Sequence, residues 1–214
     1  SGTLPAEFGA LSRIRTLYAS DNLLTGQLPD AWLGLNSLAD LNLGSNRFNG
    51  TLPAAWGKGM SALRNISLAN NNITGRLPGS WESLTKLLSV ELQFNALTGP
   101  LPESWSKLTA LGLLRVNANA LNGTLPASWG AWKSLIGIDV AGNQLHGSLP
   151  ASYGNWGALY AGVFANNRLS GTLPDEWLNM RGEEVAVTHT LYVKTHTYSW
   201  YVTSQGQGAP CGGY

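Results

Sequence analysis

Cysteine is almost absent: Cys211 stands alone in 214 residues. One thiol closes no internal disulfide and builds no cysteine-ligated metal site. Cys211 is either an isolated thiol or half of a bridge whose other half lies elsewhere. Charge is scarce as well. Charged side chains make up 12% of the chain, and 13 Lys and Arg against 12 Asp and Glu leave a formal charge of +1. That balance argues against the basic stripe of a nucleic-acid binder and against a polybasic membrane patch. No apolar run approaches the ~20 residues that cross a bilayer. Histidine is limited to His146, His189 and His196. No metal-ligand spacing, nucleophile elbow or phosphate loop accompanies them. His189, Thr195 and His196 come nearest to a metal constellation, yet exposed strand histidines are the commoner reading. No enzymatic activity, cofactor or metal is expected.

Glycine is abundant, and it is periodic. The phrase Gly-x-Leu-Pro starts at Gly2, Gly26, Gly50, Gly75, Gly99, Gly123, Gly147 and Gly171, a step of 24 residues that becomes 25 only once, between Gly50 and Gly75. A fixed period in this range marks a solenoid, which presents a surface and not a single-motif pocket. Ahead of each phrase runs an apolar pattern such as Leu38, Leu41, Leu43, then Asn46. Two inward residues with one outward between them is the period of a short strand, so one strand per repeat stacks into a parallel sheet.

Two further columns travel with the glycine. Asn22, Asn46, Asn71, Asn95, Asn119, Asn143 and Asn167 each lie four residues before one. An amide that both donates and accepts can satisfy backbone groups left unpaired where the chain leaves the sheet, so this column reads as structural. Phe8, Trp32, Trp56, Trp81, Trp105, Trp129, Tyr153 and Trp177 each follow the proline by three. They could form a carbohydrate or base platform, but burial beside a convex helical turn opened by proline is the better reading.

The assembled unit, Leu-x-x-Leu-x-x-Leu-x-Leu-x-x-Asn-x-Leu-x-Gly-x-Leu-Pro-x-x-Trp, resembles the leucine-rich repeat family in its plant-type 24-residue subclass. In plant receptors and polygalacturonase-inhibiting proteins the slot usually reads Gly-x-Ile-Pro. The Leu-Pro-x-x-Trp form is similar instead to trypanosomatid surface antigens of the promastigote group and to some algal proteins. The antigens commonly carry threonine where this chain keeps asparagine. The resemblance implies an α/β solenoid: a right-handed superhelix with a concave parallel β-sheet and short convex helical turns. It also implies an extracellular or cell-surface setting and a non-catalytic module binding a protein or glycan ligand. A structural component of a coat, fibre or larger assembly is the alternative, and a hydrolase inhibitor a third.

Residues 1–180 are read as the solenoid, 181–205 as a C-terminal cap with extended strands, and 206–214 as a flexible Gly-rich tail. Ser1 opens mid-repeat, so the chain is expected to be part of something longer, or to be covered at that edge by a partner. The extra residue falls near 58–59, on the convex side. Outward strand positions place the candidate ligand-binding residues Tyr18, Asn42, Ser67, Glu91, Arg115, Asn117 and Asp139 on the concave face, with Phe94 just beyond. Glu91, Arg115 and Asp139 alternate in charge, which reads as an ion-pair ladder or as a polar hot spot. Gly137, Ala141, Gly142, Ala161 and Ala165 make the later concave strip smooth. Four glycosylation sequons, at Asn49, Asn65, Asn72 and Asn122, are close to the number chance supplies; a glycan on Asn65 would obstruct the concave face.

Overall fold

In the computed structural model, which describes residues 2–180 and 184–186, every repeat contributes a three-residue strand to one parallel sheet. The strands are Thr16–Tyr18, Asp40–Asn42, Asn65–Ser67, Ser89–Glu91, Leu113–Arg115, Gly137–Asp139, Ala161–Val163 and Glu184–Ala186. Their central residues Leu41, Ile66, Val90, Leu114 and Ile138 are buried, as strand alternation requires. Gly162 breaks this column, and the ring of Phe164 compensates: a Cβ on Gly162 would lie 3.1 Å from Phe164 Cε2. The last strand belongs to the segment read as the cap, and it pairs with Ala161–Val163 as an ordinary member of the sheet. The remainder of the 181–205 cap, and the 206–214 tail, lie outside the described residues.

Past each strand the chain turns away through a residue in the left-handed region: Asp21, Ser45, Asn70, Phe94, Ala118, Gly142 and Asn166, with φ between 52° and 62°. The asparagine column stitches these turns together. Asn143 shows the pattern: its Oδ1 accepts from Leu121 N–H at 2.9 Å, and its Nδ2 donates to the carbonyls of Val116 and Val140, each at 3.0 Å, and of Ala141 at 3.2 Å. Asn46, Asn71, Asn95, Asn119 and Asn167 repeat it. Asn22, the first of the column, is exposed and donates within its own turn, to Ser20 and Ala19.

The convex side is a stack of 3₁₀ turns, each entered from a proline with φ between −73° and −62°. The 25-residue repeat differs in a way its length explains. Elsewhere the turn closes three residues back, as Leu35 N–H does on Trp32 O; here Met60 N–H reaches four back to Trp56 O, forming the α-helical turn Trp56–Gly59. One added residue is absorbed by one added position in the hydrogen-bonded ring. The aromatic column lies beneath these turns, and Trp32, Trp56, Trp81, Trp105, Trp129, Tyr153 and Trp177 are fully buried. Each indole donates to the carbonyl of the preceding repeat's proline, as Trp105 Nε1 does to Pro78 O at 2.9 Å. Tyr153 does the same through its hydroxyl, to Pro126 O. From Phe8 to Trp105 the rings stack at centroid spacings of 6.1–6.3 Å.

A second layer of strands, unforeseen in the sequence, runs along the flank and in most repeats includes the glycine of the repeat phrase. Gly2–Thr3, Leu24–Gln27, Arg47–Asn49, Thr74–Arg76, Ala96–Pro100, Ala120–Thr124, Gln144–Gly147 and Arg168–Leu169 pair in parallel, in two sheets linked by a bridge between Thr51 and Thr74. Within each sheet the partner of each residue lies 22 positions on, as Thr25 faces Arg47, and not 24. Each flank strand is therefore offset by two residues against its neighbour, a shift that preserves which side chains face outward. Asn49 and Asn122 sit exposed on this flank.

Candidate functional site

The concave sheet is where side chains are free of packing, because alternation turns the first and third residue of each strand outward. Four of the candidate residues converge. Tyr18, Asn42, Ser67 and Glu91 line one hollow of about 290 Å³ on the early strands, with Asp40 and Asn65 between them. Tyr18 is 66% exposed and overhangs it. Asn65 donates to Asp40 Oδ1 at 2.6 Å, so this sequon asparagine is engaged with the hollow's own wall. Asn42 Oδ1 accepts from the Gly44 amide at 3.0 Å, which fixes the side chain.

The alternating charges resolve into one pair and one separate carboxylate. Arg115 Nη1 lies 3.3 Å from Glu91 Oε2, both partly exposed, a pair of small net worth. Asp139 instead accepts from the Ala141 amide at 3.0 Å. Burial pushes its carboxyl above the ordinary range, with the Ala141 amide and the charge of Arg115 pulling the other way. Asn117 and Phe94 are not among the residues lining this hollow. Asn117 Oδ1 and Gln93 Oε1 are buried without a hydrogen-bond partner among the described residues. Phe94 projects into solvent, 53% exposed.

A larger hollow, about 840 Å³, lies at the strand-entry side of the later repeats, walled by Leu88, Leu113, Ile136 and Tyr160 with Arg115 at its rim. Gly137 and Ala161 also line it, which gives the smooth small-residue strip a place. Leu88, Ile136 and Tyr160 were not among the candidates. The signal that could have found them is a column: each immediately precedes a concave strand, at equivalent positions in different repeats, and each is an exposed large apolar residue. Among the described residues, no group of three His, Cys, Asp or Glu side chains could hold a metal ion, and no helix is long and apolar enough to cross a membrane. His146 is exposed on the flank strand Gln144–Gly147; His189, Thr195 and His196 lie outside the described residues.

Comparison with known proteins agrees with this geometry. The Leucine Rich Repeat family model matches residues 62–84. A search of curated protein sequences gives no match. Among solved structures, the chain is similar to the Arabidopsis receptor kinase HAESA, in complex with the peptide hormone IDA and the co-receptor SERK1, at 27% identity and a TM-score of 0.82, over 88% of this chain and 33% of that one. It is similar to PEPR1 in the PEPR1–AtPEP1 structure, at 31% identity and a TM-score of 0.80, over 86% and 26%. A third likeness is to the leucine-rich-repeat ectodomain of the Arabidopsis thaliana receptor kinase GASSHO1/SCHENGEN3 in complex with CASPARIAN STRIP INTEGRITY FACTOR 2, at 31% identity and a TM-score of 0.69, over 89% and 26%. The chain thus spans about a quarter to a third of the length of these structures. With parallel strands stacked at one per repeat, convex turns opposite them and an asparagine ladder between, the chain is a leucine-rich-repeat α/β solenoid of the architecture found in those plant receptor ectodomains.

Proposed function

We propose that this solenoid is a non-catalytic recognition module, displayed extracellularly or at a cell surface, that binds a protein or glycan ligand across its concave face. The observation that carries this reading is the meeting of Tyr18, Asn42, Ser67 and Glu91 in one hollow. These are outward positions whose side chains the buried core does not need, and they combine an exposed aromatic with polar groups. Binding surfaces favour that combination. The structural neighbours that carry peptide or protein ligands support the protein arm of the reading. Surface display and adhesion, as the Leu-Pro-x-x-Trp likeness to parasite and algal proteins suggests, and glycans on Asn49, Asn72 or Asn122, belong to the same proposal.

The test is to probe the immobilised protein with a displayed peptide library and a glycan array, then repeat the measurement with Tyr18→Ala, Glu91→Ala and Arg115→Ala. Loss of about 1 kcal/mol or more of binding free energy at two of these positions is expected. Ligands whose affinity all three variants leave unmoved would overturn the concave-face reading.

A further inference from the structure

The loops that carry the chain from the convex turns into the concave strands have a charge composition unlike the rest of the molecule. They comprise residues 10–15, 34–39, 59–64, 84–88, 108–112, 132–136 and 156–160. Within them stand Arg13, Arg15, Arg64, Lys86 and Lys133, and no Asp or Glu. The acidic side chains lie elsewhere, on the concave strands as Asp40, Glu91 and Asp139, and on the convex turns as Glu82 and Glu103. A near-neutral chain therefore presents one edge of a single sign. Like charges gathered on one edge raise the local potential and attract a counter-charged partner.

The same edge holds the larger hollow. Leu88 and Ile136, 43% and 57% exposed, stand on either side of Gly112 in the column that precedes the strands. A Cβ on Gly112 would meet nothing closer than 3.5 Å, so packing does not account for the missing side chain. Gly137 has the opposite reason: a Cβ there would lie 2.9 Å from Leu113 Cδ1, and its absence lets Leu113 lie across the floor. The result is a recess with apolar walls, not a ridge of protruding side chains. Arg115 stands at its rim, Lys133 adjoins Ser134 in its lining, and Arg64 adjoins Asn65.

We infer that the strand-entry edge recognises an acidic polypeptide segment that seats a large apolar side chain between Leu88 and Ile136, over Gly112, while its carboxylates meet Arg64, Lys86, Arg115 and Lys133. This inference rests on the recognition reading and names the ligand chemistry for the later half of that face. A recess, unlike exposed apolar side chains standing clear of the surface, suits an inserted side chain better than a lipid bilayer. The absence of acidic residues along the edge selects the sign of the partner.

Random peptides displayed on phage are selected on the immobilised chain, and the recovered sequences are synthesised and titrated against variants. The expected peptides combine Asp or Glu with Leu, Phe or Trp, and their binding weakens as salt is raised. Gly112→Leu fills the recess while adding apolar surface, and is expected to lower affinity roughly tenfold. Arg64→Glu with Lys86→Glu, both at exposed positions, is expected to lower it by a similar factor and to flatten the salt dependence. Peptides without acidic residues, or unchanged affinity in Gly112→Leu, would sink the inference. So would capture of the protein by phosphatidylserine vesicles that depends on Arg64 and Lys86 when no selected peptide does. If the selected peptides respond to Tyr18→Ala and Glu91→Ala but not to Gly112→Leu, recognition by the concave face stands and this edge is not its site. Recovery of no peptide overturns the inference and leaves only the glycan arm of the recognition reading.

Discussion

Seven turns that leave the concave sheet lie among the described residues; at six of them the left-handed position holds Asp, Ser, Asn, Ala or Gly, and at the seventh it holds Phe94, with φ at 56°. An L-residue in this region sets Cβ against the following carbonyl at a cost of about 1–2 kcal/mol, and asparagine tolerates it better than an aromatic does. Phe94 is more than half exposed, so little burial offsets that cost. Phe94→Asn is expected to raise the free energy of unfolding by about 1 kcal/mol, read as a higher urea midpoint at unchanged slope. A lower midpoint would show that the ring packs as a structural part. Asp139 makes the opposite kind of statement, about pH. Burial raises its carboxyl above the ordinary range, so the folded chain holds this proton more tightly than the unfolded chain does. The contribution of Asp139 to stability is then best below the ordinary carboxylate range and declines as pH rises through the raised value. Asp139→Asn keeps an acceptor for the Ala141 amide and removes the charge. The variant is expected to melt above the parent at neutral pH, with the gap closing in acid; thermal melts across that range check it, and a gap that stays constant with pH would contradict the assignment.

Elements differ in how visibly the sequence announces them. The concave strands were legible because burial alternates within them, and that alternation also picked out Tyr18, Asn42, Ser67 and Glu91 as neighbours. The rule failed one residue earlier. Leu88 shares its parity with buried Val90, so strict alternation turns it inward, but the strand Ser89–Glu91 is three residues long and Leu87 already fills the core beneath. Leu88 is left outside, and the apolar hollow with it. The flank strands were hidden for two reasons. Glycine lies inside most of them, which reads as a turn. Their partners also lie 22 residues on, while the visible repeat is 24, so no column of the aligned sequence coincides with a paired row. The asparagine column was plain, and its energetic weight differs along the chain. Asn143→Ala would leave the Leu121 amide and three carbonyls without this partner in a buried turn, and is expected to cost about 2–4 kcal/mol. Asn22→Ala, which loses only exposed bonds inside its own turn, is expected to cost less than about 0.5 kcal/mol. Equal losses at the two positions in urea titrations would mean that stitching between repeats is not what the column supplies.

At the scale of the molecule, concave strand packs on concave strand and convex turn on convex turn from each repeat to the next. Stability in such a stack is a sum of repeat terms and nearest-neighbour terms, so cooperativity depends on there being no weak link. Trp105 is the severest place to make one. It is fully buried, it stacks on Trp81 at 6.1 Å, and its indole bonds to Pro78 O. It also stands near the change in aromatic packing, where the next repeats place two rings each, Trp129 with Trp132 at 4.3 Å and Tyr153 with Trp156 at 3.8 Å. Trp105→Ala removes about 3–5 kcal/mol from the middle of the stack. It also uncouples the repeats before it from those after it. The expected consequence is more than a lower midpoint: unfolding in urea should broaden, and circular dichroism should no longer coincide with the fluorescence of the remaining tryptophans, because two blocks then unfold separately. Trp177→Ala removes a similar ring near the end of the described stack, and should shorten the cooperative unit there without dividing it. Coincident, sharp transitions in Trp105→Ala would show that coupling reaches past nearest neighbours, and the offset flank strands, which cross repeat boundaries obliquely, would then be the elements that carry it.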